Sequence, residues 1–199
     1  GALALNISNN TLKLIKTGMD QFRILVIFAD GNNFWIGSQG GGITKLNAKD
    51  LSFVNYSNRN GTRLLISDEV RSIGKDAEGS IWIGTFKGLS ILNTKQQFEN
   101  YYHQPYVPTT ISQNSIRCIY RDRQMGMWLG TFYGGVNYYH KNEISFNLLG
   151  QGTITTALND NVVNVIKQDG YGNFWIGTND KGLNYWNPSK RSISYFTVD

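Results

Sequence analysis

The stretch Trp82-Ile83-Gly84-Thr85 decides the fold, because the chain repeats it. It recurs as Trp35-Ile36-Gly37-Ser38, Trp128-Leu129-Gly130-Thr131 and Trp175-Ile176-Gly177-Thr178, with successive tryptophans 47, 46 and 47 residues apart. A fixed period of this length is the sequence signature of a repeat architecture.

What flanks the motif repeats with it. Twelve residues before the tryptophan stand Val70, Ile116 and Val163, and nine before stand Ile73, Ile119 and Ile166; the first repeat is one residue shorter, and Ile24 and Ile27 fill these places. Six before stand Asp76, Asp122 and Asp169, with Asp30 at five. Turn signals follow at Gly31-Asn32-Asn33, Glu78-Gly79-Ser80, Met125-Gly126 and Gly172-Asn173. Asp followed by Gly or Asn between apolar runs marks a hairpin, because these residues tolerate positive φ.

After the motif a second turn comes at Gly40-Gly41-Gly42, Lys87-Gly88, Gly134-Gly135 and Lys181-Gly182. Short apolar runs then cover Ile43 to Asn47, Leu89 to Asn93, Val136 to His140 and Leu183 to Asn187. Last runs follow at Phe53 to Tyr56, Phe98 to Tyr102, Phe146 to Leu149 and Ile193 to Phe196. Each period therefore holds four short strands, a to d, with the tryptophan on b. The apolar positions nine and twelve before it are an odd number apart, which predicts opposite faces of strand a and a sheet sandwiched between neighbours. Four-stranded antiparallel sheets packed face to face make an all-β β-propeller. An up-and-down barrel would not explain why every fourth strand returns to the same motif.

At the N-terminus, Gly1-Ala2-Leu3-Ala4-Leu5-Asn6 matches Gly88 to Asn93, and Leu12 to Ile15 matches Phe98 to Tyr101. The expected organisation is one propeller domain of about four and a half blades. A half blade (strands c and d) covers 1–16, and full blades cover 17–58, 59–104, 105–151 and 152–199. A partial propeller of this kind is expected to be a piece of a longer protein, and to stay an open arc or close with another copy.

Composition narrows the function classes. Aromatic residues are 13% and charged residues 17% of the chain, which argues against disorder. The net charge of +5 is scattered, with no basic run longer than Lys190-Arg191. That pattern reads as a solvated surface, and no basic groove interleaved with aromatics points to nucleic acid. One cysteine, Cys118, precludes an internal disulfide; it aligns with Ser72 and Val165 and reads as a small core residue. Neither a signal peptide nor an apolar run of membrane-spanning length is present.

The pattern Asp-x-x-Gly-x-x-Trp-Ile-Gly-Thr, then Gly-Leu, then Asn, resembles the two-component regulator propeller repeat. Asp76 to Asn93 and Asp169 to Asn187 fit closely, and the lead-in fits at Ile66 to Val70 and Leu158 to Val163. Asp122 to His140 departs, with Gly126 displaced by one and His140 replacing Asn, and Asp30 to Asn47 lacks one turn residue. The resemblance implies the periplasmic sensor region of a Bacteroidetes hybrid two-component histidine kinase, responding to oligosaccharides. It implies a parent anchored in the inner membrane, with kinase and phosphorelay domains outside this chain.

Residues present in every blade read as structural. Trp35, Trp82, Trp128 and Trp175 are expected to pack between blades. Gly37, Gly84, Gly130 and Gly177 are expected to admit a neighbouring tryptophan, and the four motif aspartates to accept turn amides. Recognition is expected from residues that break the repeat at the b–c turns: Gln39, Phe86, Lys87, Phe132, Tyr133, Asn179 and Asp180, with the d–a loop from His103 to Thr110, including Pro105 and Pro108, on the same face. Aromatic rings beside amides and carboxylates suit sugars; the same residues could instead cap blade tops or meet another subunit.

Catalytic and metal signals are weak. His103 and His140 have no Cys or carboxylate at ligand spacing, so neither metal nor cofactor is expected. A carboxylate pair drawn from Glu69, Glu78, Glu99 and Glu143 plus Asp stays open as a glycosidase reading. Three functions therefore stand: a non-catalytic sensor propeller binding an oligosaccharide; a structural or self-associating segment packing against other propeller parts; and a propeller lyase or glycosidase.

Overall fold

A computed structural model describes residues 2–6, 11–15, 21–59, 65–107, 109–141, 147–149 and 157–197. Gly1, Pro108, Glu143 and Phe146 lie outside them. Among the described residues every element is a β-strand. Strands β1 (Ala2–Asn6) and β2 (Thr11–Ile15) pair antiparallel as a two-stranded sheet. Four antiparallel four-stranded sheets follow. Blade I holds β3 (Arg23–Asp30), β4 (Asn33–Gln39), β5 (Ile43–Asn47) and β6 (Phe53–Tyr56). Blade II holds β7 (Val70–Lys75), β8 (Ile81–Thr85), β9 (Leu89–Leu92) and β10 (Phe98–Tyr101). Blade III holds β11 (Ile116–Arg121), β12 (Met127–Thr131), β13 (Val136–Tyr139) and β14 (Asn147–Leu149). Blade IV holds β15 (Val163–Gln168), β16 (Phe174–Thr178), β17 (Leu183–Asn187) and β18 (Ser192–Phe196).

The strands run in simple meander order, and strand a of blades II, III and IV packs on strands a and b of the blade before it: β7 on β3 and β4, β11 on β7 and β8, β15 on β11 and β12. Strand a is therefore innermost and d outermost, as a propeller requires.

The predicted parity of strand a is overturned. In every blade the a–b pairing slips by one residue, between Ile24 and Val26, Val70 and Ser72, Ile116 and Cys118, and Val163 and Val165. A β-bulge leaves one extra residue unpaired. Val70 then faces the same side as Ile73, and both pack with Trp35, Ile81 and Ile83 in one cluster. One face of blade II thus carries β-branched knobs toward blade I. Its other face carries Trp82, Ser72, Gly74 and Gly84, which receive knobs from blade III.

The glycines are the holes. A Cβ on Gly37 would lie 2.5 Å from Val70 Cγ1, one on Gly84 2.7 Å from Ile116 Cγ2, and one on Gly130 2.9 Å from Val163 Cγ1. What presses on each glycine is strand a of its own blade (Val26, Ser72, Cys118) together with strand a of the next, not a tryptophan as expected. Trp35, Trp82 and Trp128 are 3%, 2% and 7% exposed, each against the following blade. Burying an indole of about 150–250 Å² is worth roughly 4–6 kcal/mol before entropy is charged. Trp175 does not share this setting: it is 36% exposed beside Val165 and Phe196 on the outer face of blade IV.

The motif aspartate explains why the indole is held. Asp76 Oδ2 accepts the Trp82 indole N–H at 2.9 Å while Oδ1 accepts the Ser80 amide at 2.7 Å. Asp122 does the same for Trp128 at 2.8 Å and the Gly126 amide at 2.8 Å. Asp169 accepts the Asn173 amide, but its second oxygen takes Tyr185 and the Asn173 side chain. Asp30, one residue closer to its tryptophan, turns instead to Lys75 of blade II at 2.6 Å, and the buried Trp35 indole N–H has no acceptor among the described residues.

Candidate functional site at the axial mouth

The last residue of each motif builds the rim. The hydroxyls of Ser38, Thr85, Thr131 and Thr178 donate to the carbonyls of Gly42, Gly88, Gly135 and Gly182, closing each b–c turn. These glycines have positive φ; at Gly42 a Cβ would lie 2.2 Å from the Tyr56 carbonyl oxygen, so no other residue fits. Behind the turns, buried asparagines fix the d–a loops. Asn137 accepts the Ser112 amide and donates to its hydroxyl, and Asn184 does the same to the Asn159 amide and side-chain oxygen.

Four residues past each tryptophan the rim breaks symmetry, at Gln39, Phe86, Phe132 and Asn179. Each ends or immediately follows strand b, opposite the start of strand a, where the bulge pushes one side chain out of the ladder. The bulged residues are Leu25, Arg71, Arg117 and Asn164. The two sets meet. The Arg71 guanidinium lies 4.8 Å from the centre of the Phe86 ring, and Arg117 lies 5.3 Å from that of Phe132. Asn164 Nδ2 donates to Asn179 Oδ1 at 3.3 Å. Cation–π stacking of this kind orients a guanidinium at modest cost.

Leu25, Arg71, Arg117 and Asn164, with Arg23, Gln39 and Glu69, line a cavity of about 600 Å³. The four bulges bring a leucine, two arginines and an asparagine to one opening at the inner strands.

The predicted site residues divide around this opening. Gln39 lines the cavity, while Phe86, Phe132 and Asn179 stand behind its bulged residues. Lys87, Tyr133 and Asp180, one position on, are exposed at the turn tips. The Tyr133 ring meets Phe132 edge-on at 4.3 Å. Asp180 accepts from the Asn179 side chain at 2.7 Å, and its amide donates to Asp160. Sequence reasoning missed Arg71, Arg117 and Arg23, and weighed Glu69 only as one of a catalytic carboxylate pair. The signal for Arg71 and Arg117 was a polar residue between apolar positions twelve and nine before the tryptophan, legible only if a bulge is assumed.

The loop from His103 does not line the mouth. Tyr102, Gln104, Thr109 and Thr110 border a separate groove of about 570 Å³ on the flank of blades II and III, with Tyr101, Glu99, Trp82 and Tyr139. There burial and the neighbouring Glu99 carboxylate push the Tyr101 hydroxyl up to about 12. A third cavity, of about 740 Å³, opens at the a–b turns and includes Asp30, Lys75, Asp76 and Arg121. Its charges are spent between blades: Lys75 on Asp30, and Arg121 on the Asp76 carbonyl at 3.0 Å. His103 Nδ1 lies 3.0 Å from the Ile111 carbonyl oxygen and His140 Nε2 3.1 Å from that of Gln124. Neither borders the mouth. Among the described residues no group of three His, Cys, Asp or Glu side chains could hold a metal, and no helix is long and apolar enough to cross a membrane.

Solved structures share this architecture. The extracellular domain of the hybrid two-component system BT3049 from B. thetaiotaomicron superposes with a TM-score of 0.78 at 24% identity, over 98% of this chain and 26% of that one. Virginiamycin B lyase from Staphylococcus aureus gives 0.65 at 12% identity, over 88% and 56%. PorZ of the type-IX secretion system of Porphyromonas gingivalis gives 0.63 at 17% identity, over 90% and 28%. The chain thus spans about a quarter of the BT3049 domain, and at these identities the likeness is one of fold. No curated protein matches the sequence. Residues 64–87, 110–133 and 157–180 match the two-component regulator propeller family. Each match runs from a d–a loop through strands a and b to the rim, so blades II, III and IV are two-component regulator propeller repeats.

Proposed function

We propose that this chain is a non-catalytic recognition segment in the periplasmic part of a hybrid two-component histidine kinase, and that it binds an oligosaccharide at the axial mouth. One observation carries the reading: four bulges at one repeat position direct a leucine, two arginines and an asparagine into one cavity, and both arginines lie against aromatic rings. A scaffold needs no such variety at equivalent positions. The ring of Tyr133 and the amides of Gln39, Asn164 and Asn179 supply the stacking face and hydrogen-bonding groups that a sugar uses. The family of the repeats and the likeness to an extracellular sensor domain support the cellular setting. Ligand would act by binding one arrangement of the parent's propellers more tightly than another, since differential affinity is what shifts such an equilibrium.

Calorimetry of the intact extracytoplasmic region against a panel of glycan oligosaccharides tests this. Alanine at Phe132 or Tyr133 should weaken binding about tenfold, with alanine at Trp175 as a control remote from the mouth. Unchanged affinity in both rim variants refutes the site.

A second reading, a self-associating segment, is favoured by the outer face of blade IV, where Trp175, Val165, Leu183 and Phe196 are 36–54% exposed. Sedimentation that depends on concentration in the wild type and not in a Trp175→Ser variant would support it.

A further inference from the structure

We infer that the axial mouth receives an anionic group of its ligand, a carboxylate or a sulfate, and that Arg117 is the side chain that binds it. The inference rests on the reading of the mouth as a ligand site and names the ligand's chemistry.

Three guanidinium groups, Arg23, Arg71 and Arg117, line the cavity with a single carboxylate, Glu69. That carboxylate is already taken. Arg71 holds Glu69 Oε1 through Nε at 3.0 Å and Nη2 at 2.6 Å, and its Nη1 donates to the Ser115 hydroxyl at 2.9 Å. Arg71 is therefore a clamp between blades II and III.

Arg117 occupies the same bulge one blade on, with the same kind of ring beneath it. Two residues earlier, where blade II has Glu69, blade III has Ser115, and its hydroxyl already accepts from Arg71. Arg117 is half-buried, and among the described residues it has neither a carboxylate nor a hydrogen-bond acceptor. Arg23 likewise has no carboxylate partner among them.

The Phe132 ring lies on one side of the Arg117 guanidinium, and with no acceptor among the described residues its N–H donors are left for a ligand. The fork they form matches a planar or tetrahedral oxyanion in two-point fashion. A partly desolvated guanidinium interacts more strongly with an oxyanion than a fully hydrated one does. The cavity at the a–b turns makes the contrast, because its Lys75 is neutralised within the fold. A neutral sugar would leave the Arg117 charge unmatched; a uronate or a sulfated sugar would not.

The test compares four probes at constant ionic strength: trigalacturonate, its fully methyl-esterified form, a heparin-derived sulfated tetrasaccharide, and inorganic sulfate. Binding is read by calorimetry and by the Arg117 Nε–Hε resonance. At least one acidic sugar should bind tenfold or more tighter than the neutral ester. Arg117→Gln should abolish that preference, and Arg117→Lys should recover part of it, since lysine keeps the charge without the fork. An unchanged thermal midpoint in both variants establishes that the fold survives. Should inorganic sulfate shift Arg117 saturably and match the sugars, the site takes a free oxyanion, and the glycan part of the inference falls. Equal binding of acidic and neutral sugars, untouched by Arg117→Gln, overturns the anion assignment and leaves the ligand site standing. No sugar binding and no sulfate shift at Arg117 overturns both.

Discussion

Gly84→Ala tests whether the blades interlock as described. The added methyl would lie 2.2 Å from Ser72 Oγ and 2.7 Å from Ile116 Cγ2. Ser72 Oγ is buried without a hydrogen-bond partner among the described residues, so it can rotate away at little cost. Ile116 is fully buried in blade III and cannot. Three effects compete. Removing a glycine from a strand interior gains about 0.5–1 kcal/mol, and burying a methyl gains about 0.8 kcal/mol. Forcing a methyl into a filled interface costs about 1–3 kcal/mol, and more where the neighbour is fixed. With a fixed isoleucine on one side the clash should sit at the top of that range, about 3 kcal/mol, and win by about 1–2 kcal/mol. That is a fall in midpoint of about 2–8 °C at this chain length.

The diagnostic is a double-mutant cycle. Ile116→Ala alone should cost about 2–5 kcal/mol. In that background Gly84→Ala should be neutral or favourable, giving a coupling of about 1–3 kcal/mol. Gly170→Ala, with no atom within 4 Å of its added Cβ, is the control and should change little. Chemical denaturation followed by tryptophan fluorescence reads all four variants. Additive effects of Gly84→Ala and Ile116→Ala would refute the knob-and-hole account.

Three further outcomes follow from the geometry. Asp76→Ala removes the acceptor of a buried indole and of a turn amide, and should cost about 2–4 kcal/mol in denaturant; Asp30→Ala loses only a part-exposed ion pair and should cost under about 1 kcal/mol. Cys118 is half-buried with its thiol tucked against Gly130, and burial pushes that thiol up to about 12; a colorimetric disulfide reagent at pH 8 should react with it only on unfolding. For the Asp169 carboxyl, burial acts upward, but the Tyr171 and Asn173 amides and the Tyr185 hydroxyl together hold it below its ordinary 3.8. A carboxyl lowered in the fold contributes stability above its unfolded value and loses it as pH falls through the folded value. Asp169→Asn should therefore flatten the acid side of the stability profile below about pH 4 and leave its slope near neutrality unchanged.

The repeat, the four-strand blades and the burial of Trp35, Trp82 and Trp128 were legible because each rests on local spacing that the chain states several times over. The bulge was not. Counting residues along strand a assumes an unbroken pleat, and one unpaired residue reverses every face assignment beyond it. That error put Val70 and Ile73 on opposite faces. It also hid Arg71 and Arg117, which read as ordinary strand polars when they are the side chains the bulge turns into the mouth. Phe86 and Phe132 stood out because they break the repeat, but their partners across the rim could not be known without the slipped register. Trp175 could not be told from its three equivalents, since its exposure depends on what stands beyond blade IV rather than on its own motif.

The most direct measurement is a chemical-shift map of the extracytoplasmic region with a bound oligosaccharide. The account predicts perturbed amides at Phe86, Lys87, Arg117, Phe132, Tyr133, Asn179 and Asp180, on three blades at one mouth. Perturbation confined to the turns at Asp76 to Ser80 and Asp122 to Gly126, or to the flank groove at Tyr101 to Gln104, would contradict it.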